Sequence, residues 1–429
     1  MPELPPGPRL PRAVQTAVWI RGAQWMLDQC HRRFGDTFSL RIAHQGTWVV
    51  LTDPADVQRV FTGDPNVLYA GEGNRILEPV LGSRSVLLLD GPDHLEQRKL
   101  MLPAFHGERM KRYGDVMAQI AIEEIERWPR GQIQRLRPRM QAITLEIVLR
   151  AVFGVTDPDR LADLRFALRR LLNMVTEPRR VAVMIALGPA RMGQFPPFRR
   201  DRDRVDRLLY AEIATRRTTD LAARTDIMSL LLAARREDGS PMSDRDLRDE
   251  LLTLLVAGHE TTANALAWAC ERLARHPEKL RRLADEARAG SDTYLTAVVQ
   301  ETLRLRPVIS IVNRVLKAPM RFAGYDLPAG VAVVPCIYLV HRRPDVYPNP
   351  HAFEPERFLD RPPGTYTWIP FGGGVRRCLG AAFAQFEMEV VLRELALRTV
   401  IRPTRPHAEP VLRRAVTETP RHDAEVIVG

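Results

Sequence analysis

Cysteine and lysine are both scarce in this 429-residue chain. Its four cysteines, Cys30, Cys270, Cys336 and Cys378, lie far apart, which excludes a CxxC pair or other close-spaced zinc pattern and argues against a disulfide framework. Lysine occurs only at Lys99, Lys111, Lys279 and Lys317, so nearly all of the 63 basic residues are Arg; against 52 acids they give a net charge of +11. No basic run is interleaved with aromatics, which argues against nucleic-acid binding. Long apolar runs are missing too: Val181 to Gly188 is among the longest, far short of the roughly 20 residues that span a bilayer. Met1 to Arg12 has no apolar core followed by a small-residue cleavage site, so no secretory signal is expected and a reducing cytoplasm is. A dinucleotide fingerprint is absent, because Gly71-Glu72-Gly73 continues as Asn-Arg-Ile and Gly372 to Gly374 leads toward Cys378. There is no repeat or low-complexity linker.

What remains is a chain with 45% hydrophobic and 27% charged residues, the balance of a packed, water-soluble protein. Residues 1–12 read as a Pro-rich extended arm and 13–429 as one large, mainly α domain with a minor β part. Val14 to Phe34 reads as a helix, and Thr37 to Ile42 with Thr47 to Thr52 as a hairpin. From Pro54 the pattern is mainly helical, interrupted at Gly71 to Gly91 and Gly188 to Pro197. Helices are predicted at Pro277 to Ala289, Thr293 to Leu305 and Leu379 to Thr399, a turn region at Gly324 to Gly330, and a strand at Val331 to Leu339.

The clearest helix starts at the N-cap Ser243, carries Asp244, Asp246 and Asp249 near its start, and runs to Arg275 before Pro277. At 1.5 Å per residue it is about 50 Å long, enough to cross the domain. Leu251, Leu252, Leu254, Leu255 and Val256 make it apolar nearly all round, yet Ala257-Gly258-His259-Glu260-Thr261-Thr262 follows at its middle. Poor helix formers and a charge where burial is expected mark a site. A zinc HExxH helix is excluded, since the second His position is Ala263.

A second unusual segment is Phe371-Gly372-Gly373-Gly374-Val375-Arg376-Arg377-Cys378-Leu379-Gly380. A thiol at a helix entrance meets the positive end of the macrodipole and unpaired N–H groups, which favour the thiolate, a soft anionic metal ligand. The glycines let the backbone bend and pass close to a flat ligand, and Gly380 keeps the first turn clear of it.

This segment resembles the thiolate-haem loop of the cytochrome P450 monooxygenases, Phe-x-x-Gly-x-Arg-x-Cys-x-Gly. The resemblance implies the cytochrome P450 fold, a single haem-enclosing domain around a long central helix, with haem b as cofactor and Cys378 as its axial thiolate. Phe371, Gly372, Arg376 and Gly380 are then cofactor-binding. Glu301 and Arg304 match the family's Glu-x-x-Arg, expected to lock to Arg357 as structural support for the loop. His94 and Arg98 match its His-x-x-x-Arg, and with Arg314 and Arg376 are expected to face the haem carboxylates. Ala257 to Thr262 resembles the oxygen-activation segment, with Glu260 and Thr261 as the acid and alcohol of a proton relay.

The family's substrate-facing stretches here carry Val80, Leu81, Val86, Leu87, Met174, Met184, Ile185, Val308, Ile309, Ile311 and Val312, which suits a lipophilic substrate such as a fatty acid, terpene or steroid-like molecule. Arg75, Arg84, Arg179 and Arg180 are candidate carboxylate anchors. Electrons for dioxygen are expected from a separate ferredoxin or flavodoxin with its reductase, docking near Arg376 and Arg377. Two alternatives stay open: a peroxide-driven peroxygenase, which can dispense with the relay, and a non-enzymatic haem-thiolate gas or redox sensor, which needs no large apolar pocket.

Overall fold

The computed structural model describes residues 4–105, 109–154, 157–177, 188–221 and 224–429. Strands β1 (Thr37–Ile42) and β2 (Gly46–Leu51) pair in antiparallel register from Thr37 opposite Leu51 to Ile42 opposite Gly46. β2 continues parallel to β8 (Ala332–Pro335), which pairs with β5 (Arg314–Leu316), itself paired with β3 (Leu68–Tyr69), giving the order β1-β2-β8-β5-β3. β4 (Ile133–Arg135) and β9 (Ile401–Pro403) flank β12 (Glu425–Val428); hairpins β6 (Met320–Phe322)–β7 (Tyr325–Leu327) and β10 (Val411–Arg414)–β11 (Thr417–Pro420) complete the strands of the described residues.

Helices of nine residues or more are α1 (Arg12–Phe34), α2 (Pro54–Thr62), α3 (Gly91–Met101), α4 (Arg109–Glu126), α5 (Leu136–Phe153), α6 (Pro158–Thr176), α7 (Pro196–Arg217), α8 (Asp244–Arg275), α9 (Pro277–Arg288), α10 (Thr293–Leu305) and α11 (Ala381–Arg398). α1 lies on the β1–β2 hairpin, where Trp19 meets Trp48 edge to face at 5.1 Å. The Pro-rich arm is fastened beside it: the Pro6 carbonyl accepts the Ser39 N–H at 2.8 Å, and Gln15 donates to the Pro8 and Leu10 carbonyls.

α8 is the axis of the molecule. Ser243 and Asp246 form a reciprocal capping box at its start, and its flanks pack on α5, α7, α10 and α11. Leu251, Leu252, Leu255, Leu266 and Leu273 are buried in the main apolar core.

Two sequence expectations change. The run Val331 to Leu339 is not one strand, because the chain turns after β8 into the short helix Ile337–Val340; a continuous apolar run does not distinguish the two by periodicity. The turn region Gly324 to Gly330 contains β7. Among the described residues no helix is long and apolar enough to cross a membrane.

Candidate active site

The Gly-rich loop is shaped by α2. Gly372 and Gly374 have φ of +66° and +64°, and a Cβ on Gly374 would come 1.9 Å from the Phe61 carbonyl oxygen. One on Gly373 would meet the Phe61 ring at 2.2 Å, so glycine alone allows this approach. The loop closes with the Cys378 N–H donating to the Phe371 carbonyl at 3.0 Å, and α11 begins three residues after Cys378. Cys30, Cys270 and Cys336 are buried thiols, pushed up by desolvation to about 11, 12 and 12; Cys378 alone is accessible. Its thiol is nevertheless raised by desolvation, the leading cause, against the lowering effects of the Gly380 N–H, Arg98 and Arg377. The helix entrance does act in the thiolate's favour through the Gly380 N–H, while burial acts against it. Cys378 is thus accessible at its surface yet desolvated by the protein around it. A Cβ on Gly380 would meet open space within 4 Å, so no protein atom fills the approach to the first turn of α11.

The middle of α8 offers another accessible surface within the fold. Leu254, Gly258 and Thr261 are partly accessible and Ala257 is exposed, although apart from the partly accessible Val256 the residues around them are buried. Spaced i, i+3, i+4 and i+7, they form one stripe. The Thr261 hydroxyl donates to the Ala257 carbonyl one turn back at 2.5 Å. Glu260 lies on the opposite side. It accepts from the Arg137 guanidinium, from Gln141 Nε2 at 2.7 Å and from Asn264 Nδ2 at 3.4 Å, between α8 and α5. Arg137 and Gln141 also line a polar cavity of about 430 Å³ with Arg170, Asn173, Asp201 and Arg414. Next to Glu260, His259 bonds Thr144 at 2.8 Å and is held near 4 by burial, hence neutral.

Cations gather beside the Cys loop. His94 and Arg98 stand one turn apart on α3, Arg314 on β5 and Arg376 in the loop itself. Burial, then the charges of Arg376, Arg98 and Arg314, depress His94 to about 3, so the imidazole is neutral. Arg314 and Arg376 are each lowered to about 10, chiefly by burial, and stay charged at neutral pH. Arg376 pairs with Asp90 at 2.5 Å and donates to the Val86 carbonyl at 3.3 Å and to that of Leu89. Arg314 donates only to the Asn313 carbonyl at 2.7 Å, and Arg98 has no ion pair among the described residues. Three guanidiniums thus face one carboxylate. The surplus suits a ligand with two carboxylates, and with the accessible Cys378 and open Gly380 the residues fit haem.

Behind the loop, Glu301, Arg304 and Arg357 form a sealed cluster. Arg304 donates to both Glu301 oxygens at 2.6 and 2.8 Å and to the carbonyls of His341, Pro350 and Ala352. Arg357 Nε stands 3.2 Å from Glu301, and the Glu354 N–H donates to Glu301 at 2.8 Å. His341 extends the cluster to the loop: it accepts the Ile369 N–H at 2.8 Å.

Several residues went unread in the sequence. Arg137, Gln141 and Asn264 around Glu260, Asp90 beside Arg376, and His341 belong to no motif; in a chain so rich in Arg, nothing distinguishes Arg137. Of the predicted substrate residues, Val80, Leu81, Val86, Met174 and Val308 are buried, whereas Leu87, Ile309, Ile311 and Val312 keep accessible surface. Arg84 is not free to anchor a carboxylate, because it is paired with Asp246 at 2.9 Å, and Arg75 is exposed. Met184, Ile185, Arg179 and Arg180 lie outside the described residues.

A family model described as Cytochrome P450 matches residues 5–399. The chain is 45% identical to a "Putative cytochrome P450 135B1" of Mycobacterium tuberculosis, over 99% of this chain and 91% of that protein. It is 42% identical to a "Putative cytochrome P450 135A1" of the same species, over 99% and 94%. In fold it is similar to "Retinoic acid bound cyanobacterial CYP120A1", with a TM-score of 0.86 at 24% identity and full coverage of both chains.

Proposed function

The chain belongs to the cytochrome P450 family and is a haem-thiolate monooxygenase that needs dioxygen and a redox partner; on that premise we propose that it oxidises a lipophilic small molecule by hydroxylation or epoxidation. The cofactor in this reading is haem b, which Cys378 would hold through its thiolate, with Phe371, Gly372 and Gly380 beside it and His94, Arg98, Arg314 and Arg376 toward its carboxylates. When bound, it supplies dioxygen activation at a thiolate-ligated iron. The observation that carries the reading is the pairing of the one accessible cysteine with a surplus of buried guanidinium charge.

The accessible stripe of α8 is the distal wall. Ala257 and Gly258 leave room for dioxygen, and the Thr261 hydroxyl, held by the Ala257 carbonyl, presents its oxygen to that space. Glu260 is the acid of the relay, taking protons from the side of the polar cavity and reaching Thr261 by turning away from Arg137. Glu301, Arg304 and Arg357 act as support, through His341 and Ile369, without touching substrate. Leu87, Ile309, Ile311 and Val312 favour a fatty acid, terpene or steroid-like substrate. Val375 and Arg377 are exposed on the loop's outer side, which suits an acidic ferredoxin or flavodoxin. Residues 13–429 act as one domain with 1–12 as its arm.

The test is spectroscopic. The reduced, carbon-monoxide-bound protein is expected to show the red-shifted Soret band of thiolate ligation, and Cys378→Ala to lose it while keeping its far-UV spectrum. A variant that keeps the band refutes the assignment, and a lipophilic library that never shifts the iron spin state refutes the substrate class.

A further inference from the structure

Residues 82–90, between the short helix Glu78–Leu81 and α3, are bound to α8 along one edge and to the Cys loop along the other. On the α8 side the Arg84 N–H donates to Asp249 at 2.9 Å, the Arg84 guanidinium pairs with Asp246 at 2.9 Å, and the Ser85 and Thr253 hydroxyls are hydrogen-bonded at 2.7 Å. Asp249 occupies the place a side chain would take at residue 82: a Cβ on Gly82, whose φ is +87°, would lie 2.1 Å from its Oδ1. On the other side Arg376 holds the Val86 and Leu89 carbonyls and Asp90.

Glu250 stands at the middle of this strap, with no exposed surface. Its Oε1 accepts the Val86 N–H at 2.7 Å and Gln97 Nε2 of α3 at 3.0 Å, while Oε2 is buried without a partner. A carboxylate kept for stability alone would have a cation; here none pairs with it among the described residues. From its own helix Asp246 and Asp249 face it, and from α3 the uncharged Gln97; the strap's Arg84 is paired with Asp246 instead. Glu250 lies one turn before Leu254, where the accessible stripe begins.

We propose that Glu250 is a positioning residue whose carboxyl, through the Val86 N–H and Gln97 Nε2, holds the 82–90 strap as the roof of the substrate site. The site is the one assigned above, so the roof rests on that reading. Burial, the largest cause, raises the closed-state pKa of Glu250 to about 8, whereas a hydrated carboxyl returns to its ordinary value of 4.5. The closed form therefore holds one more proton between these values. Closure is fully supported below 4.5 and loses ground as pH rises toward 8, by up to about tenfold per unit.

Hydrogen exchange on the full-length haem-loaded protein tests this. Glu250→Ala is expected to speed exchange of the Val86–Asp90 amides by about tenfold or more, leaving α10 and the centre of α8 unchanged. In the wild type, exchange of this segment, corrected for intrinsic rates, rises with pH between 5 and 8; Glu250→Gln removes that extra slope. Unchanged exchange in Glu250→Ala, uniform acceleration along the chain, or an undiminished slope in Glu250→Gln overturns the proposal. A missing thiolate Soret band in the wild type would instead defeat the haem reading, and is seen independently of the exchange pattern.

Discussion

Arg304 and Arg314 are both buried arginines near the Cys loop, and their surroundings differ in kind. All five N–H donors of Arg304 are used, on both oxygens of Glu301 and on three carbonyls. Arg314 has one acceptor among the described residues, the Asn313 carbonyl, and the charge of Arg376 repels it. A saturated guanidinium is a rivet. One left unsaturated under desolvation costs the protein free energy unless something else completes it, and the missing complement has the chemistry of an anion.

Breaking the saturated cluster should do the most damage. Arg304→Leu takes its bidentate partner from the fully buried Glu301, leaving it Arg357 and the Glu354 N–H, and a loss of about 3–5 kcal/mol is expected in urea denaturation of the cofactor-free protein. Arg314→Leu sharpens the contrast, because its effect should reverse sign with loading. Removing an uncompensated buried charge is expected to raise cofactor-free stability by about 2 kcal/mol, yet to hasten haem loss to an acceptor protein. A fall in stability without haem would show that Arg314 is structural after all. The smallest effect at neutral pH belongs to His94. With its pKa depressed from 6.5 to about 3, the folded state refuses a proton that the unfolded chain accepts, so stability is lost as pH falls below 6.5. His94→Gln should flatten that part of the stability–pH curve; an unchanged slope would contradict the buried neutral imidazole.

The parts of this molecule that were legible in sequence are those whose physics is local. Ser243 and Asp246 announce the start of α8, Pro277 follows its end, and the glycines before Cys378 require a backbone that larger side chains forbid. Glu260 was visible as an anomaly in an apolar helix, but its orientation was not, since Arg137 and Gln141 approach it from a helix far away in the chain. The apolar run after β8 likewise hid a change from strand to helix. His341 could not be found at all: its role depends on two ring nitrogens meeting the Arg304 carbonyl and the Ile369 amide, an arrangement set by tertiary packing.

β12 carries a consequence in time. It joins β4, in the first third of the chain, to β9 near its C-terminus, so β4 waits, unpaired, until the last residues are synthesised. Such long-range closure is slow, and a nascent chain released before Glu425 would leave that sheet without its middle strand. Cys378 itself emerges late, long after the α3 cations that surround it, so the pocket is still under construction when its first walls are already folded. A haem-limited cell would then be left holding nearly finished chains, with cationic, half-built interiors as targets for its proteases.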